Sequence, residues 1–571
     1  MKKMILAKDN KTDYRIVVSK SCSKSENHVA NDLRYYLGFI SNANFGFVTD
    51  QTEQTDKEIL LGESEHLNKL GLGIDYSGLG NEGFIIKTYR DFLIITGGKL
   101  RGTMYGAYTF LEKYLGCNWL SSKVSKSPRS KEIAIDQIDD TEVPSLEYRD
   151  VYYTDAFDAD WAARKKLNGS FSKLDDKRGG KVSYFPFVHS FDMLIPGELY
   201  DRHPEYFPLI DGKRANGYVQ RCLSNPEVLR LAKERVLKWI QEHPEARIIS
   251  ISQNDTGNWC QCHECKALDD SEGSPSASII HFVNEIAEEV HKNYPEKLID
   301  TLAYQYSRKP PRSLKPRENV IIRLCTIECC FSHSLEGCDS EQNRKFKEDI
   351  EAWSRIAPKL YVWDYVTNFA NYIMPFPNLY VLKPNIEFFI KHNVKGIFKE
   401  GNYSSGGNGE FAELRAYILA KLLWNPDDDV DIIIEEFLDG YYGKASKPIK
   451  DYMELMHDKV KRFHIHVSIY SPPTSEYLTK DLLAEADGLL KKAERLAEDE
   501  ETKTRVKIAH LPIQYVMIER DFIDKDKSKE MHLDFIRTIE RTGITNISEG
   551  KTIDQYRKEL LNTRGQPQGH K

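Results

Sequence analysis

The sequence predicts an α/β protein whose main part is a (β/α)8 TIM-like barrel, with an N-terminal α/β sandwich domain and a C-terminal helical domain. Three observations lead to this fold class. Strand-like apolar runs recur eight times, helical patterns separate most of them, and most of the runs end in polar or aromatic residues. A chain of 571 residues is also too long for one core and has room for roughly three or four domains.

The first part of the chain alternates strand and helix signals. Strand patterns occupy residues 14–19, 58–62, 83–88 and 92–96, and helical patterns occupy 25–40 and 102–115. Residues 121–145 are mostly polar and end near a proline. We therefore predict an α/β domain at 1–120 and a linker at 121–145.

The barrel is predicted over residues 146–427. Its strand-like runs are 147–153, 165–169, 181–189, 247–254, 299–306, 320–328, 360–366 and 394–401. Helical patterns lie at 226–242, 276–292, 341–356, 379–392 and 410–424. The alternation is imperfect, because the connections after the second and fifth runs are short and the prolines of 307–319 exclude a regular helix there.

The last part of the chain has apolar residues three and four apart on a charged background. This spacing places one apolar face along each helix. We predict a helical C-terminal domain at 428–562 and a loose tail at 563–571.

Composition limits the partners. The net charge is −7 with no long basic run, which argues against a nucleic acid or an anionic membrane surface. No apolar stretch approaches the ~18 residues of a membrane span. The first residues also lack an apolar stretch of signal-peptide length, so we expect a cytoplasmic protein, or a periplasmic or cell-surface protein whose signal peptide has been removed. Oligomeric state is not predicted.

Candidate functional residues lie where the predicted strands end, the face on which parallel barrels carry their chemistry. They are Asn254, Asp255, Glu328, Trp363, Asp364, Glu400, Tyr304 and His189. Carboxylates mixed with aromatic and amide groups suit glycoside cleavage, which needs one protonated carboxyl as general acid. A second carboxylate, or the substrate's own acetamido group, must stabilise or bond to the positively charged anomeric carbon of the sugar. Crowded carboxylates raise one another's pKa, which can hold the proton near neutral pH.

Each candidate also has a structural interpretation. Glu328 could form an ion pair, and Glu400 could pair with a neighbouring lysine. Asp255 could cap the turn that follows it. Asp364 could be a buried hydrogen-bond acceptor, and His189 a histidine satisfied inside the fold.

A cysteine cluster follows the fourth strand-like run. Cys260, Cys262 and Cys265 supply soft ligands, and one more cysteine would complete a tetrahedral zinc site. Cys329, Cys330 or Cys338 could be the fourth ligand if the fourth and sixth strand ends approach each other. A disulfide in an exported protein, or reduced packing cysteines, are the alternatives. We expect no required cofactor and consider a structural zinc ion.

Several motifs together identify a family resemblance. They are Gln253-Asn254-Asp255 with residues 259–266, Phe282-Val283-Asn284, residues 300–306, Glu328-Cys329-Cys330, Glu400-Gly401-Asn402-Tyr403, residues 422–426 and Tyr441-Tyr442-Gly443. The chain thereby resembles glycoside hydrolase family 163. The proteins of this family occur in gut Bacteroidetes and were formerly described as a domain of unknown function. Residues 1–120, with the motif at 102–108, resemble the non-catalytic domain before the barrel in hexosaminidases and α-glucuronidases.

The resemblance implies a retaining endo-β-N-acetylglucosaminidase that cuts the chitobiose core of complex N-glycans. It implies Glu328 and Glu400 as the catalytic pair. As our own hypothesis, Glu328 acts as general acid/base and Glu400 as nucleophile or positioner. The expected substrate-binding residues are Asn254, Asp255, Asp364, Tyr304, Trp363, Tyr403 and His189, with Asp255 and Asp364 tuning and orienting and the three aromatic residues binding sugar faces. The adjacent Asp-Glu pair of substrate-assisted hexosaminidases is replaced by Asn254-Asp255, which leaves the nucleophile open: a glutamate or the acetamido group.

Two rival functions follow from the same residues. One is an exo-acting hexosaminidase or α-glucuronidase-like hydrolase, which would release monosaccharides. The other is a non-catalytic glycan-binding protein on a decayed barrel.

Overall fold

The structure is a computed structural model that describes the backbone of residues 3–523 and 525–564. The described residues fall into two units by their contacts. The first comprises residues within Met1–Ser145, Tyr153–Lys181 and Glu413–Gly443, and the second comprises residues within Leu146–Tyr152, Val182–Ala412 and Lys444–Lys571. Each unit is described separately.

The first unit is built on a mixed sheet. Its strand order is Asp139–Glu142, Phe84–Tyr89, Phe92–Gly97, Glu58–Leu61, Arg15–Val18 and Gly46–Thr49. The last four run parallel, and the first two join by antiparallel pairing. The predicted strands of residues 1–120 are thus confirmed, and two further strands are added.

Two helices belong to the same part of the first unit. Lys24–Ser41 begins with a capping box, in which Ser23 and Glu26 satisfy each other's backbone N–H groups. Gly102–Thr109 continues as a π-helical turn at Phe110–Tyr114. Both lie where the periodicity predicts helix.

The predicted linker supplies strands instead. Glu132–Ile135 pairs with Met4–Lys8, and Asp139–Glu142 forms an edge of the mixed sheet. The short apolar set Ile133, Ile135 and Ile138 is buried, which ties these residues to the unit despite their polar neighbours. The prediction of a linker at 121–145 underestimated this burial.

The predicted second barrel strand, 165–169, is a turn in the first unit. It follows the helix Ala159–Arg164. Lys165 is buried there, and its Nζ lies 2.7 Å from Oε1 of Glu112. The run is Lys-Lys-Leu-Asn-Gly, with a single large apolar side chain, and Lys165 is used in this ion pair. The helices Glu65–Lys69, Thr154–Phe157 and Val430–Tyr442 also belong to this unit.

The second unit contains a curled parallel sheet. Its strand order is Tyr148–Tyr152, Val394–Glu400, Lys359–Tyr365, Val320–Cys325, Leu298–Ala303 and Ile248–Ser250. Tyr184 adds a single parallel bridge to Ile248, within the run predicted as a third strand. Within the described residues the hydrogen-bonded sheet is therefore a half-barrel, and a complete eight-stranded barrel is not confirmed.

Amphipathic helices connect these strands. They are Pro226–Glu242, His263–Glu272, Ser276–Asn293, Glu341–Ile356 and Leu382–Lys391. In Pro226–Glu242 the buried residues Val228, Ala232, Val236 and Trp239 follow helical spacing, and Asn225 caps the N-terminus. The helix Ala412–Trp424 comes after the last strand and belongs, from Glu413 onward, to the first unit.

The C-terminal part of the second unit is mainly helical, as predicted. Its helices are Ser446–Arg462, Lys480–Leu496, Glu500–Glu519, Lys525–Thr542 and Ile553–Arg564. The sequence did not predict the short hairpin of Asn546–Ser548 and Lys551–Thr552 between the last two. Most of the predicted tail, 565–571, lies outside the described residues. None of the helices formed by the described residues has the length and apolar character needed to cross a bilayer.

The two units cut across the predicted domain boundaries. Residues 153–181 and 413–443, predicted as barrel and C-terminal domain, belong with the N-terminal residues. The described residues from Lys444 onward belong with the parallel sheet instead of forming a separate domain.

A buried ion pair lies inside the curled sheet. Nη2 of Arg323 is 2.8 Å from Oδ1 of Asp300, and both side chains are fully buried. The guanidinium also lies 4.4 Å from the ring centre of Phe187 and 5.1 Å from that of Trp363. These aromatic faces contact the cation where water cannot.

Replacing Asp300 by Ala is expected to lower the free energy of unfolding by about 3–5 kcal/mol, because Arg323 would remain buried without its counter-charge. The measurement is denaturant unfolding followed by circular dichroism. Asp270→Ala is the matched control: it removes an ion pair with Lys266 of 3.0 Å, in which the two side chains are 63% and 65% exposed. That loss should stay below about 1 kcal/mol. Equal losses in the two variants would show that the buried pair does not carry this stability.

Candidate active site

Polar and aromatic side chains of the second unit gather at the carboxyl ends of the parallel strands. Glu400 and Trp363 come from two adjacent strands, and Asp255 and Tyr304 follow two others. This is the face that barrel enzymes use for chemistry.

Glu400 is the last residue of its strand and is only 7% exposed. Nε1 of Trp363 donates a hydrogen bond of 2.8 Å to its Oε2. Burial raises the pKa of Glu400 to about 8, and the negative charges of Glu549 and Asp255 act in the same direction, while the Trp363 hydrogen bond opposes them. Glu400 is therefore mainly a carboxylic acid at neutral pH and can donate a proton.

Asp255 is the exposed carboxylate of the site. The hydroxyl of Tyr304 donates a hydrogen bond of 2.9 Å to its Oδ1, and Nε2 of Gln305 donates one of the same length to the Tyr304 oxygen. Burial and the charge of Asp255 raise the pKa of Tyr304, so its hydroxyl keeps its proton. Asp255 is thus a carboxylate held in place by a neutral phenol.

Asn254 shapes the turn that carries Asp255. It is buried, and its Nδ2 donates to Oδ1 of Asp192 at 2.7 Å and to the carbonyl of Val219 at 2.8 Å. Its backbone N–H donates to Oε1 of Gln220 at 2.9 Å. These bonds commit the amide to the loop, and we interpret Asn254 as a residue that positions Asp255.

His189 lies beside this turn with a positive φ of 52°. Its Nδ1 is 2.7 Å from the carbonyl oxygen of Gln253, so Nδ1 carries the proton and Nε2 is left as an acceptor. Burial lowers the pKa of His189, with the charge of Asp255 acting against that change. A neutral imidazole is suited to accept a hydrogen bond from a sugar hydroxyl.

Aromatic rings form the outer part of the site. Tyr403 stacks on Tyr152 with ring centres 4.4 Å apart, and its hydroxyl donates to Oε1 of Glu549 at 3.1 Å. Tyr470 is 57% exposed, and its pKa is raised by burial and by the charges of Glu549, Asp255 and Glu400. Tyr470 therefore lies within electrostatic range of all three carboxyl groups.

Trp363 and Asp364 face opposite sides of the sheet, as successive strand residues do. Trp363 contacts Glu400, whereas Asp364 is buried with Nζ of Lys399 at 2.6 Å and Oγ1 of Thr326 at 2.7 Å. Lys399 thus pairs with Asp364 and not with Glu400. The structure separates Asp364 from the other candidates.

Glu328 lies three residues after its strand, in a loop and exposed. Its Oε2 is 2.8 Å from Nη1 of Arg308, and Nε of the same arginine is 2.7 Å from Oδ2 of Asp349. The structural interpretation of Glu328, an ion pair, is present. The main charges that act on Glu400 are those of Glu549, Asp255 and Arg323, and Glu328 is not among them.

The cysteine cluster has four members, and the fourth is Cys222, which was not among the predicted candidates. Candidate ligand atoms of Cys222, Cys260, Cys262 and Cys265 all lie within 4.8 Å of one another, and all four residues are buried. Cys329, Cys330 and Cys338 do not belong to this group, so that part of the prediction is wrong. Cys222 precedes the helix Pro226–Glu242, and the long loop that carries it returns to the turn holding Asp255.

Sequence reasoning missed Glu549, Tyr470, Tyr152 and Arg323. Glu549 and Tyr470 lie outside the parallel sheet, in connections of the helical C-terminal part, where no strand-end rule applies. Arg323 had a signal, since a charged residue inside the apolar run 320–325 must be paired.

Comparison with known proteins identifies the family and the fold. A model described as Domain of unknown function (DUF4838) matches residues 119–454, and one described as glycosyl hydrolase family 67 N-terminus matches residues 6–110. The N-terminal domain is therefore glycoside hydrolase-like. No curated protein matches the chain.

Solved structures share the fold at low identity. A family GH115 4-O-methyl-α-glucuronidase with specificity for decorated arabinogalactans is 14% identical, with 100% of this chain and 81% of that chain covered and a TM-score of 0.61. A GH138 enzyme targeting pectin rhamnogalacturonan II is 10% identical, with 97% and 79% covered and a TM-score of 0.56. A family 89 glycoside hydrolase from Clostridium perfringens is 12% identical, with 90% and 65% covered and a TM-score of 0.54. These likenesses show a glycoside hydrolase fold.

Replacing Glu549 by Gln is expected to lower the pKa of Glu400, because it removes a negative charge that disfavours the ionised form. Trp363 reports the change, since its indole donates to Glu400. Tryptophan fluorescence should show a transition near pH 8 in the wild type and at lower pH in the Glu549→Gln variant. The Glu400→Gln variant, which cannot ionise there, should lack the transition. A midpoint that stays unchanged in Glu549→Gln would contradict the electrostatic coupling.

Proposed function

The chain belongs to the DUF4838 family, and from this premise and the geometry of its site we propose that it is a retaining glycoside hydrolase of the endo-β-N-acetylglucosaminidase type. The observation that carries the proposal is the buried Glu400, whose pKa is raised to about 8 beside the exposed Asp255. A buried carboxyl that keeps its proton, with a second carboxyl on the same face of the sheet, is what glycoside cleavage requires.

In the first step Glu400 gives its proton to the glycosidic oxygen while the bond to the sugar breaks. The sugar develops positive charge, which the ionised Asp255 meets. Tyr304 keeps Asp255 in place through its hydroxyl. In the second step the Glu400 carboxylate takes a proton from water while the water oxygen attacks the anomeric carbon. The bond that this carbon formed in the first step, to Asp255 or to the acetamido oxygen, breaks, and Glu400 is protonated again.

Asp255 can stabilise the positive charge on the sugar in two ways, and the sequence does not distinguish between them. It can bond to the anomeric carbon, or it can orient the substrate's acetamido oxygen, which then bonds there. A thiazoline derived from N-acetylglucosamine copies the cyclised acetamido group. Strong inhibition by it indicates the acetamido route, and a covalent glycosyl adduct on the protein indicates the carboxylate route.

The proposal differs from the roles expected from the sequence, because Asp255 and not Glu328 is the partner of Glu400. Glu400 is assigned as general acid/base because it is buried and protonated, whereas Glu328 is exposed and paired with Arg308. Glu328 as a catalytic residue stays a prediction from the sequence, and direct comparison of variants decides between the two.

Substrate contacts are assigned to the groups around this pair. His189 Nε2 is assigned to a sugar hydroxyl, and the rings of Tyr403 and Tyr470 to sugar faces. Trp363 is buried against Glu400, so its role is to hold that carboxyl. The motif resemblance supports complex N-glycans as the substrate class, which an exported enzyme would meet in the periplasm or at the cell surface.

We also propose that Cys222, Cys260, Cys262 and Cys265 hold a structural zinc ion. Four buried thiol groups within 4.8 Å match a closed site of four cysteine ligands, which leaves no open position for catalysis. The ion would fix the loop whose hydrogen bonds carry Asn254 and Asp255.

The activity is tested by incubating the protein with a glycoprotein that carries complex N-glycans, followed by mass spectrometry. An endo-acting enzyme is expected to release an intact glycan that ends in one N-acetylglucosamine and to leave one on the protein. Release of monosaccharides would indicate the exo-acting alternative. Glycan binding in calorimetry with no product would indicate a non-catalytic protein and overturn the proposal.

Glu400→Gln is expected to lower kcat by roughly 10²–10⁴-fold, the range for loss of a general acid. Glu328→Gln is the matched comparison and should cost much less. In the wild type, kcat/KM should fall as the pH rises through about 8, because Glu400 then loses the proton it must donate. A large loss in Glu328→Gln together with near-normal activity in Glu400→Gln would reverse the assignment.

A further inference from the structure

A second group of cysteine and histidine side chains lies in the second unit. Its members are Cys330, His333, Cys338 and His466, and their candidate ligand atoms all lie within 4.8 Å of one another. The first three come from the loop after the strand Val320–Cys325, and His466 comes from the segment after the helix Ser446–Arg462. From the sequence, Cys330 and Cys338 were predicted only as possible fourth ligands of the other cluster.

We propose a second metal site, formed by Cys330, His333, Cys338 and His466, that binds a zinc ion in tetrahedral geometry. The ion would join the segment after the helix Ser446–Arg462 to the loop after the strand Val320–Cys325.

The spacing of the group fits a tetrahedron around zinc. Zn–S and Zn–N bonds of about 2.3 and 2.0–2.1 Å predict S···N edges of about 3.5 Å and S···S edges of about 3.8 Å. Sγ of Cys330 lies 3.4 Å from Nδ1 of His333 and 3.3 Å from Nδ1 of His466, and Sγ of Cys338 lies 3.7 Å from Nδ1 of His466. Little movement would be needed to admit the ion.

A carboxylate orients one of the histidines. Oδ1 of Asp339 is 3.4 Å from Nε2 of His466, and also 2.9 Å from Nε2 of His464. A proton on Nε2 of His466 that faces Asp339 leaves Nδ1 as the lone pair directed at the sulfur atoms. Metal-binding histidines commonly have such a carboxylate partner on the second nitrogen.

The chemistry of the set points to zinc. Two thiols and two imidazoles are a common donor set of structural zinc sites, whereas calcium and magnesium prefer oxygen ligands. Cys330 and Cys338 are buried, and His466 reaches the surface. A site of four protein ligands is closed, so we assign it a structural role.

Backbone contacts show what the site would hold together. The N–H of Phe331 donates to the carbonyl of Val467 at 2.8 Å, and Oγ of Ser332 donates to the carbonyl of Ile465 at 2.6 Å. The carbonyl of Ile469 accepts from Phe369 N–H at 2.8 Å, next to Tyr470. The ion would therefore fix the segment that presents Tyr470.

The test is zinc content of the full chain by plasma mass spectrometry, after removal of metal with a chelator and titration with Zn²⁺. The wild type is expected to bind two equivalents, one in each group. His466→Gln and Cys338→Ser should each lose one equivalent, and Cys262→Ser should lose the other one. His466 is exposed, so its replacement by Gln is expected to leave the fold intact, as circular dichroism will show.

His464→Gln is the matched control, because His464 contacts Asp339 without belonging to the proposed ligand set. It should keep both equivalents. Substitution with Co²⁺ gives a second readout: in Cys262→Ser the remaining ion should have the visible bands of a tetrahedral site with two thiolates.

Zinc binding by His466→Gln and Cys338→Ser equal to that of the wild type would overturn the proposal. So would the mass loss of a disulfide between Cys330 and Cys338 in the native protein. Because the metal is measured directly, failure of this proposal is distinct from absence of glycosidase activity.

Discussion

The candidate site depends on a carboxyl group buried at the end of a parallel strand. Glu400 is buried, Trp363 is its hydrogen-bond donor, and the charges of Glu549 and Asp255 act on it. A rise of its pKa from 4.5 to about 8 corresponds to a free energy on the order of 5 kcal/mol between its two protonation states. The folded chain therefore keeps a proton that the unfolded chain releases, and this contribution to stability is lost as the pH rises from about 4.5 through about 8. The same enclosure that costs stability at high pH provides an acid near neutral pH.

Much of the second unit could be predicted from local pattern. The strand 320–325 is apolar except for Arg323, and the strand 394–400 is centred on Ile397 and Phe398. The helix Pro226–Glu242 has helical spacing and a proline at its start. Such signals are local and need no knowledge of neighbours. Glu400 could also be selected in this way, because an acidic residue that ends an apolar strand is unusual.

The roles of the two glutamates could not be predicted locally. Glu328 and Glu400 both follow apolar runs, and what separates them is long-range: Arg308 pairs with one, and Trp363 encloses the other. Glu549 and Tyr470 were missed for the same reason, since they come from far along the chain. Cys222 was missed because it lies far before Cys260 in the sequence, and only the fold of the intervening loop joins them.

The two cysteine-containing groups have similar positions in the fold. Each lies mainly in the connections between strands and helices, with Cys265 in the first turn of the helix His263–Glu272. Each is next to a segment that carries a residue of the candidate site: Asp255 in one case and Tyr470 in the other. A metal ion with four ligands would add a constraint to each of these connections. The parallel sheet would then hold the buried acid, and the two ions would hold the exposed partners around it.

The most direct measurement is the pKa of the Glu400 carboxyl itself, by pH titration of the chain labelled with ¹³C at the glutamate side-chain carboxyl carbon. The resonance that disappears in Glu400→Gln identifies the residue. It should titrate near pH 8, as expected for a buried acid that donates a proton. Titration of this resonance near the ordinary value of 4.5 would contradict the account, because Glu400 would then be ionised at neutral pH and could not act as the general acid.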